Sequence, residues 1–294
     1  MATDNKDNKL SIGSGDYAEI LRHAVAVIEH ARTEIARHVN GYVSTAYWEI
    51  GQMLHERKIE SGYGDSVVRR LSEDLKERYP KMGLLLQKKY PDLPHFLFGH
   101  SMGSFFTRRY LCMYPNEVDG AVICGTGWQP KAVLWAALSL TKLQTLCFGD
   151  HHRSILIDKL AFGAMNRSFA PTKTPKDWLC RNEAAVEAYI KDEKCGFIFT
   201  LNGYRALFRS ILLAEKKQCL ERMDKDLPVL FISGEADPVG NFGKGVKRAV
   251  NAFRWAGMRD VECILYPECR HELINERNRE EVFRDVLEWL EFHI

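Results

Sequence analysis

Apolar residues follow two different rhythms along this chain, and the change falls between about residues 84 and 96. Before it, spacings of three and four dominate. Ile20, Ala24, Ile28, Ala31 and Ile35 recur behind the capping residue Asp16 and stop near Gly41, which predicts a helix. A second helical stretch over about 43–56 carries Tyr47, Trp48, Ile50 and Leu54. After the turn Gly62-Tyr63-Gly64, a third over about 66–78 turns Val67, Val68, Leu71 and Leu75 inward. No strand is predicted before Phe96. Beyond it come short, largely apolar segments at 96–98, 118–124, 229–233 and 261–266, alternating with amphipathic helical patterns at 105–113, 241–255 and 277–292. Such apolar strands with helices between them imply a parallel sheet covered on both faces through right-handed crossovers. Residues 128–222 are too long for one crossover and read as a helical cap, rich in side chains such as Trp135, Leu143, Phe162, Trp178, Tyr204 and Phe208. The predicted class is therefore α/β, with a small all-α module (15–83) in front of it and a polar leader (1–14) expected to be disordered.

Composition sharpens the same seam. Eight cysteines occur, none before Cys112 and none in a C-x-x-C pair, so reduced and mostly buried thiols are expected rather than a disulfide framework. The polar start, Met1-Ala2-Thr3-Asp4, shows no secretory signal, and no apolar stretch reaches the length of a membrane span, so the cytoplasm is the expected compartment. A net charge of +2 gives no general electrostatic case for nucleic acid or an acidic membrane surface.

The chemistry concentrates at Gly99-His100-Ser101-Met102-Gly103, a G-x-S-x-G pentapeptide between the run 96–98 and an amphipathic helix. A sharp strand-to-helix turn crowds the backbone around the serine, and the flanking glycines are expected to relieve that crowding. The turn presents the Ser101 hydroxyl at a helix N-terminus, where the Met102 N–H is a candidate oxyanion donor. A serine hydroxyl needs a histidine base held by a carboxylate. On such a scaffold the acid and the base each follow a strand, in the order Ser, Asp or Glu, His. Asp237, in the loop after 229–233, and His271, in the loop after 261–266, occupy those places. On the residues alone, Asp237 also reads as a turn aspartate before Pro238, and His271 as a surface histidine between Arg270 and Glu272. Glu235 is a rival acid with a poorer offset. His100 reads as a packing or hydrogen-bonding residue, and His151-His152 as a solvated pair without a third metal ligand.

The strings PDLPHFLFGHSMGSFFTRRYL (91–111), LPVLFISGEADPVGNFGKGV (227–246) and ILYPECRHELINE (264–276) resemble the α/β-hydrolase superfamily, in its lysophospholipase, monoacylglycerol lipase and serine aminopeptidase-like branch. The likeness runs from about residue 84 to the C-terminus, with the three motifs in order. It implies a serine hydrolase of carboxylic esters, lipid acyl esters foremost, with peptides and small acyl esters also open, working without a metal or organic cofactor through an acyl-enzyme at Ser101, Asp237 and His271. The string YWEIGQMLHERKIESGYGDSVVRRLSEDLKERYPKMG (47–83) resembles instead the N-terminal domain of YhcG-type PD-(D/E)XK nucleases, without the nuclease domain. That likeness implies a helical module engaging nucleic acid or a protein, with Arg69, Arg70, Lys76 and Arg78 as candidate phosphate contacts. Against them stands a solvated helix face balanced by Glu73, Asp74 and Glu77.

The seam near Met82-Gly83-Leu84 carries an expectation of its own. In α/β-hydrolases several strands precede the elbow strand, and a His-Gly-type loop supplies an oxyanion donor. No His-Gly pair precedes Ser101 here, so a hydrolase domain shortened on its N-terminal side is expected. Loss of one such donor costs about 10²–10³ in turnover, and the strand at 94–98 would lack a neighbour on one side. A non-enzymatic binding protein built on a degenerate hydrolase scaffold is the competing reading.

Overall fold

The computed structural model describes Glu19, Arg22, His23, Ala26 and residues 91–294. The chain divides into two units, Met1–Leu85 and Leu86–Ile294. In the first, the four described residues are helical and exposed. The remainder of the predicted all-α module, the leader 1–14, the seam and the candidate phosphate contacts Arg69, Arg70, Lys76 and Arg78 lie outside the described residues.

The second unit is built on four parallel strands in the order β1-β2-β3-β4: β1 (Phe96–His100), β2 (Gly120–Cys124), β3 (Val229–Gly234) and β4 (Val261–Tyr266). Phe96 pairs with Gly120, Ala121 with Val229, and Val229 with Val261, so all four strands point one way. β2 and β3 are buried along their whole length, which is why they read as continuous apolar runs. Alternation sorts their side chains between two cores. Ala121, Ile123, Val229 and Phe231 face α1 (Met102–Met113) and α7 (Lys244–Trp255), while Val122, Cys124, Leu230 and Ile232 face α8 (Arg279–Phe292). Val246, Ala249, Val250 and Phe253 form the inward stripe of α7, at the spacing expected of a helix lying on a sheet. Val282 and Trp289 do the same for α8.

Among the described residues β1 is the sheet's edge and pairs with β2 alone. Its outward Phe98 is exposed, and Phe96 is held edge-on against Trp289, with ring centroids 5.9 Å apart.

Between β2 and β3 lies a helical insertion. It comprises α2 (Lys131–Phe148), α3 (Ile155–Phe162), two single-turn helices (Met165–Phe169 and Asp177–Leu179), α4 (Glu183–Lys191), α5 (Leu201–Ala214) and α6 (Lys217–Leu220). Ser154 caps α3 by accepting from the Ile157 N–H, and Thr200 caps α5 by accepting from the Gly203 N–H. Leu201, Tyr204, Leu207, Phe208, Ile211 and Leu212 of α5 gather Leu134, Ile157 and the elbow-helix residue Phe105 around them. This cluster ties the insertion to α1. Among the described residues, no helix is long and apolar enough to cross a membrane.

Candidate functional site

Because the strands are parallel, the segments that follow β1, β3 and β4 emerge at one edge of the sheet, where open α/β sheets hold their ligands. Ser101 follows β1 at once. Its φ is 53°, a left-handed value uncommon for a residue with a side chain, and α1 begins at the next residue. The Ser101 N–H is anchored on the Cys124 carbonyl at 3.0 Å, and the Ser104 N–H returns to the Ser101 carbonyl at 2.9 Å. These bonds hold the turn in its unusual shape.

The two glycines of the pentapeptide are not equivalent. A Cβ on Gly99 would run into Thr107 Oγ1 and the Gly103 carbonyl. A Cβ on Gly103 meets nothing within 4 Å among the described residues. The expectation that both glycines relieve crowding therefore holds at 99 and fails at 103, because the chain has already entered α1 and its Cβ direction points into open space.

The structure brings Ser101, His271 and Asp237 together. His271 Nε2 lies 2.8 Å from Ser101 Oγ, and His271 Nδ1 lies 2.9 Å from Asp237 Oδ2. An ionised carboxylate only accepts, so Nδ1 carries the proton and donates. In the neutral ring Nε2 is then the acceptor for the serine O–H. Asp237 is 0% and His271 1% exposed, so His271 is not a surface histidine. The rival Glu235 is exposed. Asp237 Oδ1 accepts from the Val239 N–H at 2.8 Å, and the Ser233 hydroxyl donates to Oδ2 at 3.4 Å. Burial alone would lower the pKa of His271; the charge and hydrogen bond of Asp237 outweigh it and raise the pKa above its ordinary value. Met102 opens α1, so its N–H is one of the first-turn donors that a helix does not itself use.

His100 belongs to the same cluster. Its Nε2–H donates to the His271 carbonyl at 3.2 Å, and the two rings lie 4.9 Å apart. Burial, and then the neighbouring imidazole's charge, lower its pKa, which favours a neutral ring beside the base.

Trp178 completes the surroundings; in sequence it is one of several aromatic residues of the cap, read either as part of a lid over the serine or as the cap's own core. Its ring centroid lies 5.2 Å from that of His271. It comes from the insertion, and a set of polar straps carries it there. Buried Glu276 accepts from Arg181 Nε at 3.0 Å and from the Arg270 N–H at 2.9 Å. The Glu272 N–H donates to the Leu179 carbonyl at 2.7 Å, and the Arg270 guanidinium donates to the carbonyls of Asp177 and Cys180. The Arg270 guanidinium also stacks over Phe169, 4.2 Å from the ring centre. The signal available in sequence was the density of arginine and glutamate at 268–281, which does not by itself name their partners.

Metal-type side chains elsewhere do not join this site. His151 and His152 are exposed, and Phe148 stacks on His152 at 4.8 Å. Asp260, Glu262 and His293 bring ligand-type atoms within 4.8 Å of one another, but around the start of β4, the end opposite His271.

Residues 66–278 match the family described as serine aminopeptidase, S33, and residues 23–88 match the DUF1016 N-terminal domain. The two matches overlap between residues 66 and 88, across the change of rhythm. A monoglyceride lipase of Saccharomyces cerevisiae is 23% identical over 260 residues, covering 87% of this chain and 77% of that protein. A thermostable carboxyl esterase from Bacillus coagulans, solved in complex with glycerol, superposes with a TM-score of 0.66 at 27% identity, covering 71% of this chain and 67% of that one. A soluble variant of the yeast monoglyceride lipase, solved with a substrate analogue, shares the fold at 19% identity, with a TM-score of 0.54 over 75% of this chain and 68% of that one. With the family pattern spanning most of its length, this chain is an α/β-hydrolase of the serine aminopeptidase S33 family.

Proposed function

We propose that this chain hydrolyses carboxylic esters by acyl transfer through Ser101, with lipid acyl esters of the monoacylglycerol or lysophospholipid kind as the substrate class. The observation that carries this reading is the unbroken hydrogen-bonded line from Asp237 through His271 to the Ser101 hydroxyl. Ser101 Oγ attacks the ester carbonyl as its proton passes to His271 Nε2. The imidazolium so formed is stabilised by Asp237 and gives that proton to the departing alcohol. Water, deprotonated by the same Nε2, then cleaves the acyl-enzyme, releasing the carboxylic acid and restoring the serine. The Met102 N–H at the start of α1 is the oxyanion donor in this scheme. The lipid assignment draws on the likeness to a monoglyceride lipase and a carboxyl esterase. It draws also on the insertion, which we read as a cap over 128–222.

The test is covalent labelling of the full chain with a fluorophosphonate, followed by turnover of monooleoylglycerol, a short p-nitrophenyl ester and an aminoacyl p-nitroanilide. Ser101 is the expected site of labelling, and Ser101→Ala should abolish both labelling and ester turnover. Folded wild-type protein that takes no label would sink the serine mechanism. Turnover confined to the anilide would sink the ester assignment and leave the mechanism standing.

A further inference from the structure

At the end of α1 opposite Ser101, two thiols meet. Cys112 lies in the last turn of that helix, and Cys219 lies in α6, the short helix that returns the insertion to β3. Both sulfurs are buried in the core beneath α1 and α7, with Leu111, Leu220 and Phe231. Arg109, one turn before Cys112, sends its Nη1–H to Cys219 Sγ at 3.1 Å. Cys112 is buried in the same cluster, one turn along α1 from that arginine, and its thiol acts on the same sulfur. Cys219 is thus a sulfur that accepts from a cation beside a second thiol. The Cys112 thiol and the Arg109 contact outweigh burial and lower the pKa of Cys219, while Cys219 raises that of Cys112. Burial pushes the thiols of Cys124, Cys180, Cys263 and Cys269 the other way.

We propose that Cys112 and Cys219 form a dithiol that a hydroperoxide converts to a disulfide joining the elbow helix to the end of the insertion. The Cys219 thiolate attacks the peroxide O–O bond and becomes a sulfenic acid, and the displaced hydroxide (an alkoxide, for an organic peroxide) takes up a proton. The Cys112 sulfur then attacks the sulfenic sulfur, the S–S bond forms, and the sulfenic oxygen leaves as water with the Cys112 proton. Two thiols lose two electrons and one peroxide gains them. Arg109 holds the attacking sulfur in its thiolate form. No step uses Ser101, so this redox chemistry stands apart from the ester chemistry.

The experiment treats the fully reduced full-length chain, freed of reductant, with stoichiometric hydrogen peroxide, blocks remaining thiols with N-ethylmaleimide and maps tryptic peptides by mass. The expected product is the peptide Tyr110–Lys131 linked to Gln218–Arg222 and lost on reduction, with fragmentation placing the link at Cys112 and the maleimide on Cys124. In Cys112→Ala, Cys219 should accumulate as a sulfenic acid trapped by dimedone. In Arg109→Met the rate of cross-linking should fall about tenfold near neutral pH, the loss of thiolate that follows about one unit of pKa. Folded wild-type protein in which Cys219 stays unmodified, or is joined to another cysteine, overturns the proposal. That map is decisive even where a variant does not fold.

Discussion

The sheet and the helical insertion use apolar side chains in opposite ways. Every residue of β2 and β3 is buried, and their apolar side chains divide between two cores. In α2, by contrast, only Leu134 and Thr141 are buried, while Val133, Trp135, Leu143, Leu146 and Phe148 stand exposed. A sheet packed on both faces has one arrangement, because moving any strand would open two cores at once. The insertion is held along one side only, by α5 against Phe105 and by the straps between 177–182 and 268–278. The division suits the chemistry proposed for the two regions. Ser101, Asp237 and His271 all follow strand ends and inherit the sheet's precision, whereas Trp178 reaches His271 on a segment that depends on side-chain bonds.

The largest expected break in this comparison is Asp237→Asn. If the sheet edge sets the reacting geometry, the substitution leaves the fold intact and lowers ester turnover about 10⁴-fold, because the amide favours the wrong histidine tautomer. The pH profile carries a second readout. Turnover needs the neutral imidazole, so wild-type kcat/KM should rise with pH through a midpoint above the ordinary histidine value of about 6.5. Without the carboxylate, burial is opposed only by the weaker influence of Glu272, and the residual activity should have its midpoint shifted to lower pH. A midpoint that does not move would place the titrating group elsewhere.

The sheet and the meeting of the candidate site residues at its edge were legible in sequence for the same reason that the sheet is rigid. Buried strands leave nearly unbroken apolar runs, as in β2 and β3, and β4 at 261–266 is broken only by the exposed Glu262. Asp237 and His271 stand out as the polar residues that follow such runs. What sequence could not give was contact between segments far apart with no periodicity to announce it. Trp178 reads as one more aromatic of a helical region, and its place over His271 depends on Arg181 meeting Glu276 across the chain. Arg108, on α1, looks like a solvated helix charge but is fully buried, donating to the Gly127 carbonyl at 2.7 Å beside Trp128. Gly103 is a lesson of a different kind. The motif is symmetric about Ser101, whereas the crowding is confined to the strand side.

A smaller effect separates the two regions by stability alone. Phe231 is fully buried in β3 and meets Phe253 of α7 edge-on, with ring centroids 5.1 Å apart. Phe231→Ala should cost about 3–5 kcal/mol, the loss expected for an aromatic removed from a core that cannot collapse around the gap. A lowered urea midpoint with an unchanged slope would express it. A loss below about 1 kcal/mol would mean that the core relaxes freely and that the sheet is not the rigid half of the molecule.

The smallest expected effect tests the other half of the comparison. Leu146, near the end of α2, is 77% exposed. Leu146→Ser removes an apolar side chain that water already surrounds, so little burial is lost. Serine costs a few tenths of a kcal/mol in helix propensity relative to leucine. The net change should stay within about 0.5 kcal/mol, the usual range for a surface site, and ester turnover should be unaltered. The same urea titration measures it, side by side with Phe231→Ala. A loss above about 1 kcal/mol at this position would mean that the outer face of α2 is covered in solution, for only a buried leucine is worth that much. The contrast between central strands that bury all of their apolar side chains and an insertion that leaves much of its own in water would then be false.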